Sequence, residues 1–142
     1  MSSLDPPPDP CALCGATDAE RSAGYLRCSV CLWRVGDTID PDVERPRVDV
    51  VYYLRYADRI KIGTSSRLRQ RLAAIWHDEL LAFERGGRAL EQQRHRQFAG
   101  LREGGEWFRA TPELLTHIAS LDCPDPWRSY ARWVSAALRR IT

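Results

Sequence analysis

The feature that most restricts the fold of this chain is the spacing of four cysteines. Cys11-Ala12-Leu13-Cys14 and Cys28-Ser29-Val30-Cys31 form two C-x2-C pairs separated by thirteen residues. Each pair can turn two thiolates toward one point, and two pairs supply the tetrahedral sulfur shell of a structural zinc. So short a segment cannot bury a core of its own, so the metal would provide its folding energy. Gly15 follows the first pair where the backbone must bend around an ion. Two other readings compete. A thioredoxin-like C-x2-C would need a surrounding βαβ pattern, and a disulfide framework would need an oxidising compartment. Four thiolates leave no open coordination position, so one Zn²⁺ on Cys11, Cys14, Cys28 and Cys31 is expected to be structural. Cys123, between Asp122 and Pro124, stands far outside this set.

The spacing also sets the domain plan. Residues 1–10 hold four prolines within Asp5–Pro10, which excludes helix and central strand and predicts an extended leader. The zinc-ribbon-like module occupies 11–39. Residues 40–47, charged and proline-bearing, form a linker. A larger domain follows over 48–121, with a C-terminal helical extension over 122–142. Charge divides along the same line. Up to Pro46 there are eight acidic and four basic residues, and from Arg47 onward eleven acidic and seventeen basic, so the basic part is the expected face for a polyanion. Lys61 is the only lysine, and arginine forks suit phosphate geometry better than ammonium groups. Biased composition is the competing explanation for most of these arginines. No apolar run is long enough for a membrane span, and the first residues lack the basic and apolar regions of a signal peptide. A cytoplasmic protein without membrane partners is therefore expected.

Within the larger domain, Val48–Tyr56 is β-branched and aromatic and predicts a strand. Ala57-Asp58-Arg59 is a turn into a second strand, Ile60-Lys61-Ile62, which Gly63 ends. Alternation separates Ile60 and Ile62 from Lys61. Thr64, Ser65 or Ser66 can cap a helix that buries Leu68, Leu72, Ile75 and Trp76. Leu80–Glu84 reads as a third strand. A second helix carries Leu90, Glu91, Arg94, His95 and Phe98, with Glu91 and His95 four apart on one face. Trp107 and Phe108 are core candidates. Thr111-Pro112 starts a helix to about Leu121. A last helix gathers Trp127, Tyr130, Val134, Ala137 and Leu138 on one side, with Arg128, Arg132, Arg139 and Arg140 largely on the other.

The order of these pieces resembles the GIY-YIG nuclease superfamily, in the branch whose second motif reads K-I-G and whose end reads G-E-W-F. The matching residues are Val51-Tyr52-Tyr53, Lys61-Ile62-Gly63, Arg71 eight positions past Gly63, Glu91 with His95, and Gly105-Glu106-Trp107-Phe108. They span about Val50 to Ile118. The resemblance implies an α+β domain, a small three-stranded antiparallel sheet flanked by helices, that hydrolyses DNA phosphodiesters with one Mg²⁺. By position, Tyr52 takes the place of the tyrosine that helps activate water. Arg71 takes that of the arginine on the scissile phosphate, and Glu91 that of the carboxylate that holds Mg²⁺. Val50 replaces the first-motif glycine, and Lys61 replaces the second-motif tyrosine, where it could contact phosphate or orient water. Tyr53 is the alternative to Tyr52, because a one-residue shift exchanges sheet faces. His95 is either a helper base, a second metal contact or a helix-surface residue.

These assignments have physical grounds of their own. A phosphodiester transition state gathers charge on its non-bridging oxygens, which a guanidinium and a divalent cation both stabilise. A lone carboxylate suits Mg²⁺, which keeps most of its waters. Taken singly, however, a strand tyrosine is usually packing, and an exposed Arg or Glu usually a solvated charge. Three functions follow in order of preference. The first is an Mg-dependent DNA endonuclease with a zinc module that aids DNA or partner recognition. The second is a catalytically weak or inactive zinc-containing DNA-binding protein. The third is a zinc-stabilised interaction module whose nuclease-like domain binds a protein partner, and the zinc module or the last helix is a further place where a protein partner could dock.

Overall fold

The computed structural model of the chain describes residues 9–44 and 46–141. The leader expected over 1–10 lies, up to Pro8, outside the described residues. In chain order the elements are β1 (Ala19–Ser22), β2 (Tyr25–Cys28), β3 (Val50–Tyr56), β4 (Arg59–Ser65), α1 (Leu68–Ala74), β5 (Glu79–Arg85), α2 (Arg88–Gln97), β6 (Arg102–Gly104), β7 (Trp107–Arg109), α3 (Pro112–Ser120) and α4 (Pro126–Ile141). They divide into two compact units: residues up to Pro46 together with those from Trp127, and Arg47–Pro126. The charged stretch read as a linker ends at this division. The helix read as a separate extension belongs instead with the cysteines. Among the described residues, no helix is long and apolar enough to cross a membrane.

In the cysteine unit, β1 and β2 form an antiparallel hairpin. Ala23 and Gly24, both at positive φ, make the two-residue loop whose twist suits such a pair. The buried centre is small: Cys28, Cys31, Trp33 and Leu138, with Ala131 and Val134 packed against it. Residues 131, 134 and 138 fall on one stripe of α4, so this helix covers the module. Arg132, placed by the sequence pattern opposite the apolar side of the helix, is half-buried. Its guanidinium donates to the carbonyls of Val30 (3.0 Å) and Ser29 (3.2 Å).

The second unit is an α+β domain around an antiparallel sheet of strand order β5-β3-β4-β7-β6. The expected three-stranded sheet is thus corrected to five strands. Gly104 and Gly105, both at positive φ, reverse the chain, and β6 and β7 continue the sheet past β4. Strands this short carry too little alternation to be read from sequence. Val50–Leu54, Ile60, Ile62, Phe83, Phe108 and Leu114 are fully or almost fully buried. As expected, Thr111 caps α3, its hydroxyl accepting from the Leu114 N–H at 3.5 Å, with Pro112 following.

Two local expectations are overturned. Gly63 does not end the second strand but lies inside β4, paired with Tyr52. The helix after it is shorter than its periodicity suggested. It has no side-chain cap at Arg67 and stops at Ala74, where Ile75 turns to extended backbone. Leu68 and Leu72 are buried, but Trp76 is 79% exposed.

Candidate active site

Tyr52 lies on β3, opposite Gly63 on β4. Its side chain is wholly buried, and its hydroxyl has no hydrogen-bond partner. Gly63 makes this placement possible. A β-carbon there would stand 2.5 Å from the Tyr52 hydroxyl and 3.0 Å from Oε2 of Glu106. The phenol and the carboxylate therefore share the space that a side chain at position 63 would occupy. Glu106 is brought here by the turn before β7, whose Glu106 carbonyl accepts from the Ile62 N–H at 3.0 Å. Lys61, two residues before Gly63 and on the same side of the strand, reaches Oε2 of Glu106 at 3.3 Å.

Two helices complete the cluster. Arg71, exposed on α1, comes close enough to act on the Tyr52 hydroxyl, yet closes no hydrogen bond of proper geometry to it. Burial pushes the phenol above its ordinary pKa and Glu106 and Glu91 add to the rise, while Arg71 opposes it. Arg71 in turn is held more firmly protonated by Tyr52 and then Glu106. Glu91, in the first turn of α2, is half-buried. Burial raises its carboxyl pKa, and the like charge of Glu106 raises it further, against opposing effects of His95, the Thr64 backbone N–H and Arg88. Arg71, Glu91 and Glu106 thus all lie within electrostatic reach of Tyr52, with Lys61 paired to Glu106. His95 turns Nε2 to the carbonyl of Ile62 at 2.8 Å, and its ring packs on Phe108. Only a protonated Nε2 can make that bond, so this nitrogen serves to hold α2 against β4.

Glu106 was not singled out as a site residue from the sequence, although it stands in the quoted Gly105–Phe108 motif. Its role depends on a turn and a strand pairing that no local pattern reveals. Glu91 and Glu106, two carboxylates close enough to repel, could serve as hard oxygen ligands to a divalent cation such as Mg²⁺. The buried, unsatisfied hydroxyl beside them is a donor and acceptor awaiting a partner.

Tyr53 projects from the other face of β3 into a closed network. Its hydroxyl donates to Oε1 of Glu84 at 2.9 Å and lies 3.2 Å from Nε2 of His117. Arg94 donates to both oxygens of Glu84, at 3.0 and 2.6 Å. The tyrosine's single proton goes to Glu84, so the contact with His117 requires an Nε2–H donor. These bonds occupy Tyr53 structurally.

The two tyrosines should therefore respond oppositely to loss of a hydroxyl. Tyr53→Phe should destabilise the second unit by about 1–3 kcal/mol, because a buried network loses its donor. Tyr52→Phe, which removes an unsatisfied buried hydroxyl, should leave thermal stability equal or higher. Equal destabilisation by both in calorimetry would contradict this contrast. Gly63→Ala should lower stability and displace the Tyr52 ring, because the added β-carbon would stand 2.5 Å from its hydroxyl.

The network also gives this unit an acid-sensitive stability. Burial alone would raise the Glu84 carboxyl, but the Arg94 and Tyr53 hydrogen bonds hold it below its ordinary 4.5. Burial and the Arg94 charge hold His117 below its ordinary 6.5. Both groups bind protons less readily when folded, so each adds stability above its unfolded pKa and loses it as pH falls. The melting temperature should decline first below pH 6.5, as His117 resists protonation. It should then fall more steeply below pH 4.5, as Glu84 is neutralised. His117→Gln should remove the first part of the decline, and an unchanged profile in that variant would refute the assignment.

The four cysteine sulfurs lie within 4.8 Å of one another and could hold a metal ion. The two knuckles share one turn. Gly15 N–H donates to the Cys11 carbonyl at 2.8 Å, and Leu32 N–H donates to the Cys28 carbonyl at 2.9 Å. Gly15 has φ 79° and Leu32 φ 68°, so the second knuckle forces a leucine into the region that a glycine occupies in the first. The Leu13 N–H points at Sγ of Cys11 at 3.4 Å. Together with the Cys14 N–H it outweighs burial and lowers the Cys11 pKa, whereas burial raises Cys14 and Cys31.

Comparison with family models, curated proteins and solved structures finds no match for this chain.

Proposed function

We propose that this chain is a metal-dependent DNA endonuclease of the GIY-YIG type with a structural zinc module. One observation carries the reading. A buried tyrosine hydroxyl without a partner has a guanidinium and two carboxylates from separate elements within electrostatic reach, and an ammonium is paired with one of those carboxylates. Packing alone does not account for it, since a buried hydroxyl without a partner costs about 1–3 kcal/mol.

In this reading Glu91 holds Mg²⁺, with Glu106 as a second oxygen donor. When bound, the cation neutralises charge on the phosphate and lowers the pKa of water. Arg71, exposed and at the mouth of the site, receives a non-bridging oxygen of the scissile phosphate. Tyr52, neutral near pH 7 as an ordinary phenol is, would offer its unpartnered hydroxyl to orient the attacking water. Lys61, standing where the family resemblance would place a second tyrosine, is anchored by Glu106 and offers its remaining donors to the phosphate. Zn²⁺ occupies the four-cysteine cluster, a closed sulfur shell that suits structural zinc.

The test is cleavage of supercoiled plasmid and of branched DNA with and without Mg²⁺, using chelator-free protein. Mg-dependent nicking that Tyr52→Phe abolishes supports the reading. DNA binding without cleavage under every divalent cation would favour the DNA-binding reading, with the lysine at position 61 as the reason.

A further inference from the structure

A second feature of the Arg47–Pro126 unit adjoins this cluster and shares Lys61 with it. Because α1 stops at Ala74, Trp76 is carried out of the helix and onto the surface with 79% of its area exposed. The core positions of that helix are filled by Leu68 and Leu72, so the fold makes no use of the indole. Trp76 borders an open groove of about 410 Å³, whose other principal walls are Tyr56, Arg59, Lys61 and Trp107. Tyr56 and Trp107 meet edge to face with ring centres 6.5 Å apart. The Arg59 guanidinium lies 5.3 Å, and the Lys61 ammonium 5.5 Å, from the centre of the Trp107 ring. No carboxylate lines the groove.

We propose that this groove binds an unpaired nucleotide of the DNA substrate, its base stacked on Trp76 and its phosphate on Arg59. The inference rests on the nuclease reading and names the substrate class. Aromatic faces interleaved with cations are the elements by which proteins hold single-stranded nucleic acid, because every base has a π-face and every nucleotide a phosphate. A continuous duplex covers both faces of each base, so it cannot use such a platform. A strand end, a flap or a splayed junction can. Lys61 joins the groove to the candidate active site, since the same ammonium contacts the Trp107 ring and Glu106. A base in the groove therefore places its adjoining phosphodiester beside the two carboxylates and Arg71. The preferred substrate is DNA with unpaired nucleotides next to the scissile bond.

The test uses the full chain with its metal retained and no chelator. Competition read by fluorescence anisotropy, without added divalent cation and at one salt concentration, sets unlabelled single strand and relaxed closed-circular duplex, which has neither loop nor strand end, against a labelled single-stranded oligonucleotide. Wild-type protein should favour the single strand. Trp76→Ala should weaken single-strand binding by about five- to a hundredfold, the range for loss of one stacking platform. It should leave closed-circular duplex binding and melting temperature unchanged, and Trp76→Phe should restore most of the loss. Unchanged single-strand affinity in Trp76→Ala, or equal losses on both DNAs, overturns the proposal. If the Trp76-dependent preference appears but no divalent cation supports cleavage, the groove stands and the nuclease reading fails. If the protein nicks continuous duplex at a rate indifferent to Trp76→Ala, the nuclease reading stands and the groove fails.

Discussion

Stripping the metal from the full chain should unfold the cysteine unit, α4 included, and leave Arg47–Pro126 folded. The physical case lies in how little that unit buries. Its centre is Cys28, Cys31, Trp33 and Leu138, and two of those four are themselves proposed metal ligands. A core of this size cannot offset the conformational entropy of ordering the hairpin, both knuckles and a sixteen-residue helix. Structural zinc in small domains contributes an apparent 10–16 kcal/mol, roughly, which is far more than the remaining contacts can replace. In a heteronuclear NMR spectrum, chelation should collapse the amide signals of residues 9–44 and α4 toward random-coil positions. Those of 47–126 should keep their dispersion. Cys31→Ser should act like the chelator. A chelated protein in which Trp33 and Leu138 still give native signals would end the claim. The same logic makes a fragment of residues 47–126 the natural separable unit. A fragment that retained α4 without the cysteines would expose the apolar stripe of Ala131, Val134 and Leu138.

The second large effect is catalytic. Arg71→Ala should reduce the rate of Mg-dependent cleavage by about 3–4 kcal/mol of transition-state stabilisation, or several hundredfold, as expected for loss of a preorganised charge donor. Glu91→Ala should abolish the response to Mg²⁺. Neither change should unfold the domain. Arg71 is exposed and makes no hydrogen bond of proper geometry to Tyr52, and Glu91 is half-buried beside the like charge of Glu106. Removing Glu91 relieves that repulsion, so the variant should melt no lower than wild type in metal-free buffer. Single-turnover cleavage and calorimetry on the same preparations would check both statements. A Glu91→Ala protein that still cleaves with unchanged Mg²⁺ dependence would remove Glu91 from the site. Loss of activity together with a large drop in melting temperature would recast the residue as structural.

Much of this was legible without coordinates, and the reasons differ from residue to residue. The four-cysteine set follows from spacing alone, because each C-x2-C pair is a local turn that brings its own two sulfurs together. Val50–Tyr56, the Thr111 cap and the amphipathic last helix were equally local. Tyr52, Arg71 and Glu91 could be named from the order of motifs, and a shared sheet face expected for them, but the contacts that bring them near one another could not. Those depend on β3 pairing with β4 and on two helices approaching the Tyr52 side of these interior strands. The choice between Tyr52 and Tyr53 is of the same kind. Adjacent residues on a strand face opposite ways, and only the sheet's packing decides which hydroxyl meets Arg71 and which meets Glu84.

What local pattern misled on was length and ends. Helical periodicity ran on through Ile75 and Trp76, yet the chain leaves the helix at Ala74 and exposes the tryptophan. Gly63 read as a strand terminator, because glycine ordinarily weakens strands. Tertiary structure instead places it in the middle of β4, where its missing side chain makes room for the Tyr52 phenol and the Glu106 carboxylate. The partner of the last helix lay more than a hundred residues earlier, in the carbonyls of Ser29 and Val30 that Arg132 reaches. By itself the sequence determined the residue types, the local turns and the four-sulfur set. Contacts between segments distant in the chain decided the five-stranded sheet, the place of Glu106 and the exposure of Trp76, because burial and pairing energies arise only when those segments meet.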